Sequence, residues 1–121
     1  MDTNVLLWYF WGSPRVNPIK QLIESEETNV YFSSASLWEI ALKVRNGKLM
    51  VDPVLLRSFA KRYAFIELPM TGDHIEAYLK LPNLHKDPFD HMLLAQAITS
   101  PMRLITDDAL LADYSSLVMV I

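Results

Sequence analysis

The 121-residue sequence contains no cysteine. That excludes a disulfide framework and any thiolate metal site, and it suits a reducing, cytoplasmic compartment. Long apolar runs are missing as well. The longest, Val5 to Trp11, falls far short of the ~20 residues needed to cross a bilayer, so no membrane segment is expected. It follows Asp2 with no basic region before it and no small-residue cleavage site after it, and does not read as a signal peptide. Internal repeats, low-complexity tracts and linkers are absent. So is any excess of positive charge: 11 Lys and Arg against 14 Asp and Glu give a formal net charge of −3. That argues against a protein that grips nucleic acid by bulk electrostatics. What is present is one domain, residues 1–121, with 51% hydrophobic residues to build its core.

The most informative stretch runs from Leu84 to Ala97. Asp87 suits an N-cap and Pro88 the first helical position, where a missing N–H costs nothing. Asp90 then falls at the third helical position. Met92 to Ile98 carries no charge, which predicts a helix from Pro88 to about Thr99 buried on most of its circumference. A carboxylate at the mouth of such a helix must be hydrogen-bonded, paired or bound to a cation. The simpler reading is that both acids only cap the helix, a dipole effect worth about 0.3–1 kcal/mol.

The remaining elements follow from caps and periodicity. Thr3 or Asn4 caps a short helix through Phe10 that Gly12 stops. Asn17-Pro18 opens a second helix to about Glu27, and Val30 to Ser33 reads as a buried strand. Ser36-Leu37-Trp38-Glu39 matches a capping box, or lies just inside a helix capped by Ser33 or Ser34. Leu37, Ile40, Ala41 and Val44 give that helix its apolar face, and Gly47 ends it. Asp52-Pro53 opens a helix to about Ala64, Phe65 to Leu68 is a strand, and Thr71 starts a helix that reaches Leu81. Strands over Arg103–Thr106 and Leu117–Ile121 flank a helical turn opened by Asp107-Asp108. The alternation predicts an α/β fold, a three-layer α/β/α sandwich around a mostly parallel central sheet.

In such sheets the functional crevice lies beyond the carboxyl ends of the strands. Asp108 follows one strand end, Glu39 lies in the helix after another, Asp90 is in its helix's first turn, and Asp2 sits where an opening strand would end. Each has a plain alternative: Glu39 a cap partner or an i, i+4 pair with Lys43, Asp108 an ordinary first-turn acid, Asp2 a frayed terminus. Those alternatives do not explain the joint placement. Four clustered carboxylates repel one another unless a cation is present, and hard oxygens suit Mg²⁺ or Mn²⁺ more than Zn²⁺. Such ions activate water and stabilise the leaving oxygen of a phosphodiester.

Four blocks carry a family resemblance: Asp2-Thr3-Asn4, Ser36 to Lys43, His85 to Ala97 and Ile105 to Asp108. In order and spacing they resemble the PIN domain, in particular the VapC-like toxins of bacterial type II toxin–antitoxin systems. The resemblance covers nearly the whole chain. It implies a Mg²⁺- or Mn²⁺-dependent endoribonuclease, a homodimer, and neutralisation by a small antitoxin protein. It also implies a metal-binding, catalytic quartet of Asp2, Glu39, Asp90 and Asp108. Asp90 is preferred to Asp87 because Ala95 and Ala97, five and seven residues on, match the family's helix.

One departure is plain. Family members place a short apolar strand before the first acid, whereas here only Met1 precedes Asp2. The first strand is therefore expected to be truncated, with a natural protein that starts upstream. Its α-amino group is expected to lie beside the acids and mimic part of the metal's charge. The apolar surface of Val5–Trp11 and Leu49–Val51 is expected to be covered in part by a homodimer or an antitoxin segment. Asp87 reads as an N-cap, and His85 and His91 as solvated neighbours of the acids. Trp8, Trp11 and Trp38 read as core or interface, and Lys43, Arg45 and Lys48 as a solvated helix end or a phosphate contact. The competing function class is a non-catalytic PIN-like module that holds RNA or an antitoxin. A phosphatase-type enzyme with a nucleophilic aspartate is a third, against which the missing second aspartate two residues after Asp2 counts.

Overall fold

The computed structural model describes residues 1–83 and 87–121. Leu84, His85 and Lys86, and with them the expectation that His85 is solvated, lie outside the described residues. The elements are α1 (Thr3–Phe10), a 3-10 segment (Pro14–Ile19), α2 (Lys20–Glu24), β1 (Tyr31–Ser33), α3 (Ser34–Arg45), α4 (Pro53–Arg62), β2 (Ile66–Leu68), α5 (Gly72–Lys80), α6 (Pro88–Thr99), β3 (Leu104–Thr106), a second 3-10 segment (Ala109–Asp113) and β4 (Val118–Val120).

Among the described residues every strand pairing is parallel. β1 pairs with β2 and β3 with β4, each over three residues. The central sheet thus consists of two strand pairs, and Met1 and Asp2 lie between them. The Met1 amine donates to Tyr31 O at 3.1 Å on one side, and Asp2 N–H donates to Ile105 O at 2.8 Å on the other. Two hydrophobic clusters cover the two faces, as the alternation of side chains along a strand requires. Ile105 and Met119 pack with α1, α3 and α4, where Val5, Leu6, Ile40 and Leu56 are buried. Their neighbours Leu104 and Val118 pack on the other face with Leu93, Leu94 and Ala97 of α6 and with Leu111. This is the expected α/β sandwich.

Local differences have local causes. α1 is capped by Asp2, whose Oδ1 accepts from Val5 N–H at 2.9 Å, and not by Thr3 or Asn4, which are its first residues. Two cap–proline pairs, Ser13-Pro14 and Asn17-Pro18, sit four residues apart. The structure caps at Ser13, runs a 3-10 segment through Pro18 and begins the α-helix only at Lys20. Ser33 caps α3 through Ala35 N–H, which puts Glu39 in the second turn and not at a capping-box position. Val5, Leu6 and Leu7 are buried in the protein's own core, so of the first apolar run Trp11 alone stays well exposed, at 50%. Tyr9 and Phe10 pack against Phe59, and Tyr9 also meets Tyr63 and Phe65. No described helix is long and apolar enough to cross a membrane.

Candidate active site

The carboxyl ends of β1 and β3 and the short strand-like stub of Met1–Asp2 converge on a set of hydroxyls and acids. Asp2 is almost fully buried. Its Oδ2 accepts from the Thr106 hydroxyl at 2.6 Å, and the Thr106 oxygen in turn accepts from Asp108 N–H at 3.0 Å. One residue on, the Thr3 hydroxyl donates to Glu39 Oε1 at 2.6 Å and lies 3.0 Å from Ser36 Oγ. Two hydrogen-bonded sets therefore make up the polar cluster, joined through the Asp2–Thr3 peptide: Asp2 with Thr106 and the backbone of Asp108, and Thr3 with Glu39 and Ser36. Asp107 approaches its rim, 3.4 Å from Asn4 Nδ2.

The four expected acids are not equivalent. Asp2 and Glu39 are buried, whereas Asp90 and Asp108 are half-buried. Asp108 Oδ1 accepts from Leu110 N–H at 3.0 Å, capping the following 3-10 segment. Asp90 lies in the first turn of α6, where Asp87 is the N-cap, accepting from Phe89 N–H at 2.9 Å and Asp90 N–H at 3.4 Å. α6 reaches α3 through the rings of Phe89 and Trp38, 5.3 Å apart, each the residue before one of the acids. Glu39 also pairs with Lys43 at 2.9 Å, so the i, i+4 reading of that residue holds alongside its place in the cluster. Among the described residues, no three Asp, Glu, His or Cys side chains stand close enough together to form a metal-binding group as they are placed.

Burial is the main influence on Asp2 and pushes its carboxyl from 3.8 up to about 6, with the bonds from Thr106 and Val5 pulling the other way. Burial also pushes the Met1 amine from 8.0 down to about 6. The amine is thus mostly neutral at pH 7, and the expected mimicry of a metal's charge is weak there.

One histidine reading differs from expectation. His91 is buried, not solvated. It sits on the inward side of α6, its ring edge-on to Tyr78 and Tyr114 and its Nε2 3.4 Å from the Tyr114 hydroxyl. His74 is also buried and accepts from Thr71 N–H at 3.1 Å. Thr3, Ser36 and Thr106 are site residues that capping and strand patterns alone did not mark. Their signal was position: each is a hydroxyl within three residues of one of the acids. Of the tryptophans, Trp8 is half-buried with the Arg15 guanidinium 3.9 Å above its ring, and Trp38 is 55% exposed.

Parallel strands covered by helices on both faces, with oxygen-only side chains gathered at the strand ends, define an α/β protein with an acidic site. A profile of the PIN domain matches residues 1–117, and the chain belongs to that family. Neither the curated proteins nor the solved structures yield a match. PIN domains are generally nucleases, and they typically use divalent metals.

Proposed function

We propose that the protein is an endoribonuclease dependent on Mg²⁺ or Mn²⁺, the VapC-like toxin of a toxin–antitoxin pair, acting in the cytoplasm as a homodimer held in check by a small antitoxin protein. The observation that carries the reading is the hydroxyl-braced acid pair. The Thr106 hydroxyl holds Asp2 and the Thr3 hydroxyl holds Glu39, each at 2.6 Å, and Thr3 directly follows Asp2 in the chain. Burying carboxylates costs several kcal/mol per ion unless a positive partner offsets it. The donor set is all oxygen, which fits a hard divalent cation.

Asp2, Glu39, Asp90 and Asp108 would hold the cation, which supplies an activated water and offsets charge on the leaving oxygen of the phosphodiester. Thr106 and Thr3 orient two of the carboxylates by donating to Asp2 Oδ2 and Glu39 Oε1. Lys43 holds Glu39 in the absence of a cation. Exposed apolar residues such as Met50 and Trp11 are available to the second subunit or the antitoxin.

A second reading, a PIN-like module that binds RNA or an antitoxin without cleaving, is favoured by the Glu39–Lys43 pair and by the spread of the acids as placed. Purified protein incubated with labelled RNA separates the two. We expect cleavage with Mg²⁺ or Mn²⁺ that EDTA stops, and at least about a hundredfold loss in Asp90→Asn with the fold intact, the scale of removing a main stabiliser of transition-state charge. RNA bound but uncut under all metal conditions would support the second reading. Cleavage unchanged in Asp90→Asn, with contaminating nuclease excluded, would contradict the first.

A further inference from the structure

Residues of α3, α5 and α6 line a pocket of about 220 Å³. Ala35 and Met92, both buried, form its floor. Trp38 and Phe89 form one wall, their rings 5.3 Å apart and inclined at 71°. Ile75 and Tyr78 of α5 belong to the rest of the lining. Among the described residues the lining carries no charge. Trp38 and Ile75 are each more than half exposed, so the pocket opens to solvent between large apolar side chains.

The pocket adjoins the acid site through two peptide bonds. Trp38 directly precedes Glu39 and Phe89 directly precedes Asp90, and successive Cα atoms lie about 3.8 Å apart. A ring seated against Trp38 and Phe89 therefore brings whatever it is attached to beside two of the four acids. The exposed face of α3 continues from Trp38 through Leu42 to Arg45, at i, i+4 and i+7. A positive charge thus lies two turns along the helix from the indole.

An uncharged pocket edged by aromatic rings favours a flat group with an apolar face. A dry cavity of about 150 Å³ takes a benzene, so this pocket has room for one nucleobase and not for a base pair. With a formal net charge of −3, the protein gains little from bulk attraction to a polyanion. Stacking is a source of affinity that net charge does not oppose, and it tolerates any base. A base within a duplex is already stacked on its neighbours, so the occupant is an unpaired one. The lining comes from helices, which offer no free edge for an extended peptide to pair with.

We propose that this pocket is a base subsite, a reading that rests on the nuclease function for its substrate. It takes one unpaired nucleobase of a single-stranded RNA, stacked on Trp38 with Phe89 at its edge. The phosphate joined to that nucleotide then lies at Glu39 and Asp90, and the strand runs along α3 toward Arg45.

The test is binding in EDTA, where a metal-dependent nuclease cuts nothing, of two labelled hexamers of equal charge. One is hexauridylate and the other its abasic analogue, which lacks every base. The wild type should bind hexauridylate about tenfold or more tighter than the abasic hexamer. The Trp38 indole N–H resonance, assigned by its loss in Trp38→Ala, should move with hexauridylate and not with the abasic hexamer. Trp38→Ala, at an exposed position, should keep the fold and erase the difference between the hexamers. Trp38→Phe, which retains a ring, should keep most of it. The proposal is overturned by equal binding of the two hexamers to the wild type, by a difference that persists in Trp38→Ala, or by an indole resonance that hexauridylate leaves in place. Self-pairing of the protein, or binding of the peptide acetyl-Leu-Trp-Leu-amide, that Trp38→Ala abolishes while both hexamers bind as before would assign the pocket to a protein partner and also overturn it. The expected binding without any cleavage on adding Mn²⁺ would support the subsite and refute the nuclease reading alone. Cleavage with Mn²⁺ by a protein that binds both hexamers equally would do the reverse.

Discussion

Asp2 does two things at once: it caps α1 and it is the most deeply buried of the four acids. Folded Asp2 keeps its proton up to about pH 6, whereas the unfolded chain releases it near 3.8. Stability of the metal-free protein therefore falls as pH rises from about 4 to 6. The Met1 amine works from the other side. The unfolded chain protonates it near 8.0 and the folded protein only near 6, so stability also falls as pH drops from 8 to 6. The two shifts place a stability minimum near pH 6, and each amounts to about 3 kcal/mol. Urea midpoints measured across pH 4–8 in chelator check this. Asp2→Asn should remove the fall on the acid side, and a flat wild-type profile would refute the assignment of Asp2 as a desolvated carboxyl. Lys43 offers a second residue-scale prediction. Its ammonium competes with any cation for Glu39, and an i, i+4 pair of this kind is worth about 0.3–0.5 kcal/mol. Lys43→Met should tighten Mn²⁺ binding about twofold, and weaker binding would show that Lys43 helps to assemble the site.

At the scale of elements, α6 was the most legible in the sequence because every signal agrees there. Asp87 caps, Pro88 starts, and an uncharged run from Met92 to Ile98 demands burial; the helix runs from Pro88 to Thr99 as expected. Legibility failed where two signals compete at close range. Ser13-Pro14 and Asn17-Pro18 both look like helix starts, and only packing of Val16 and Ile19 into the core decides between them. His91 was misread because periodicity has little to say about a helix buried almost all round. The sequence marked the acids as candidates, but not the hydroxyls that brace them, since a threonine at a strand end looks the same whether or not a carboxylate faces it. The end of α4 supplies a prediction at this scale. Ala64 follows the C-cap with φ +61, a left-handed conformation that a glycine would adopt without strain. Ala64→Gly should raise stability by about 1 kcal/mol, measured by urea unfolding. A loss of stability would mean that the methyl group contributes packing worth more than the strain it carries.

At the scale of the molecule, the fold brings Asp2, Glu39 and the backbone of Asp108 to one polar cluster at the strand ends, with Asp90 in the first turn of α6. The order of elements made the sandwich legible from the alternation of strands and helices. The central claim is that this cluster exists to hold a divalent cation. Calorimetric titration of Mn²⁺ into the wild-type protein, and into Asp2→Asn and Glu39→Gln, tests it most directly. The account predicts saturable binding by the wild type and affinity reduced about tenfold or more in each variant, the loss of about 1.4 kcal/mol of binding energy. No saturable binding by the wild type, or equal affinity in all three proteins, would contradict it.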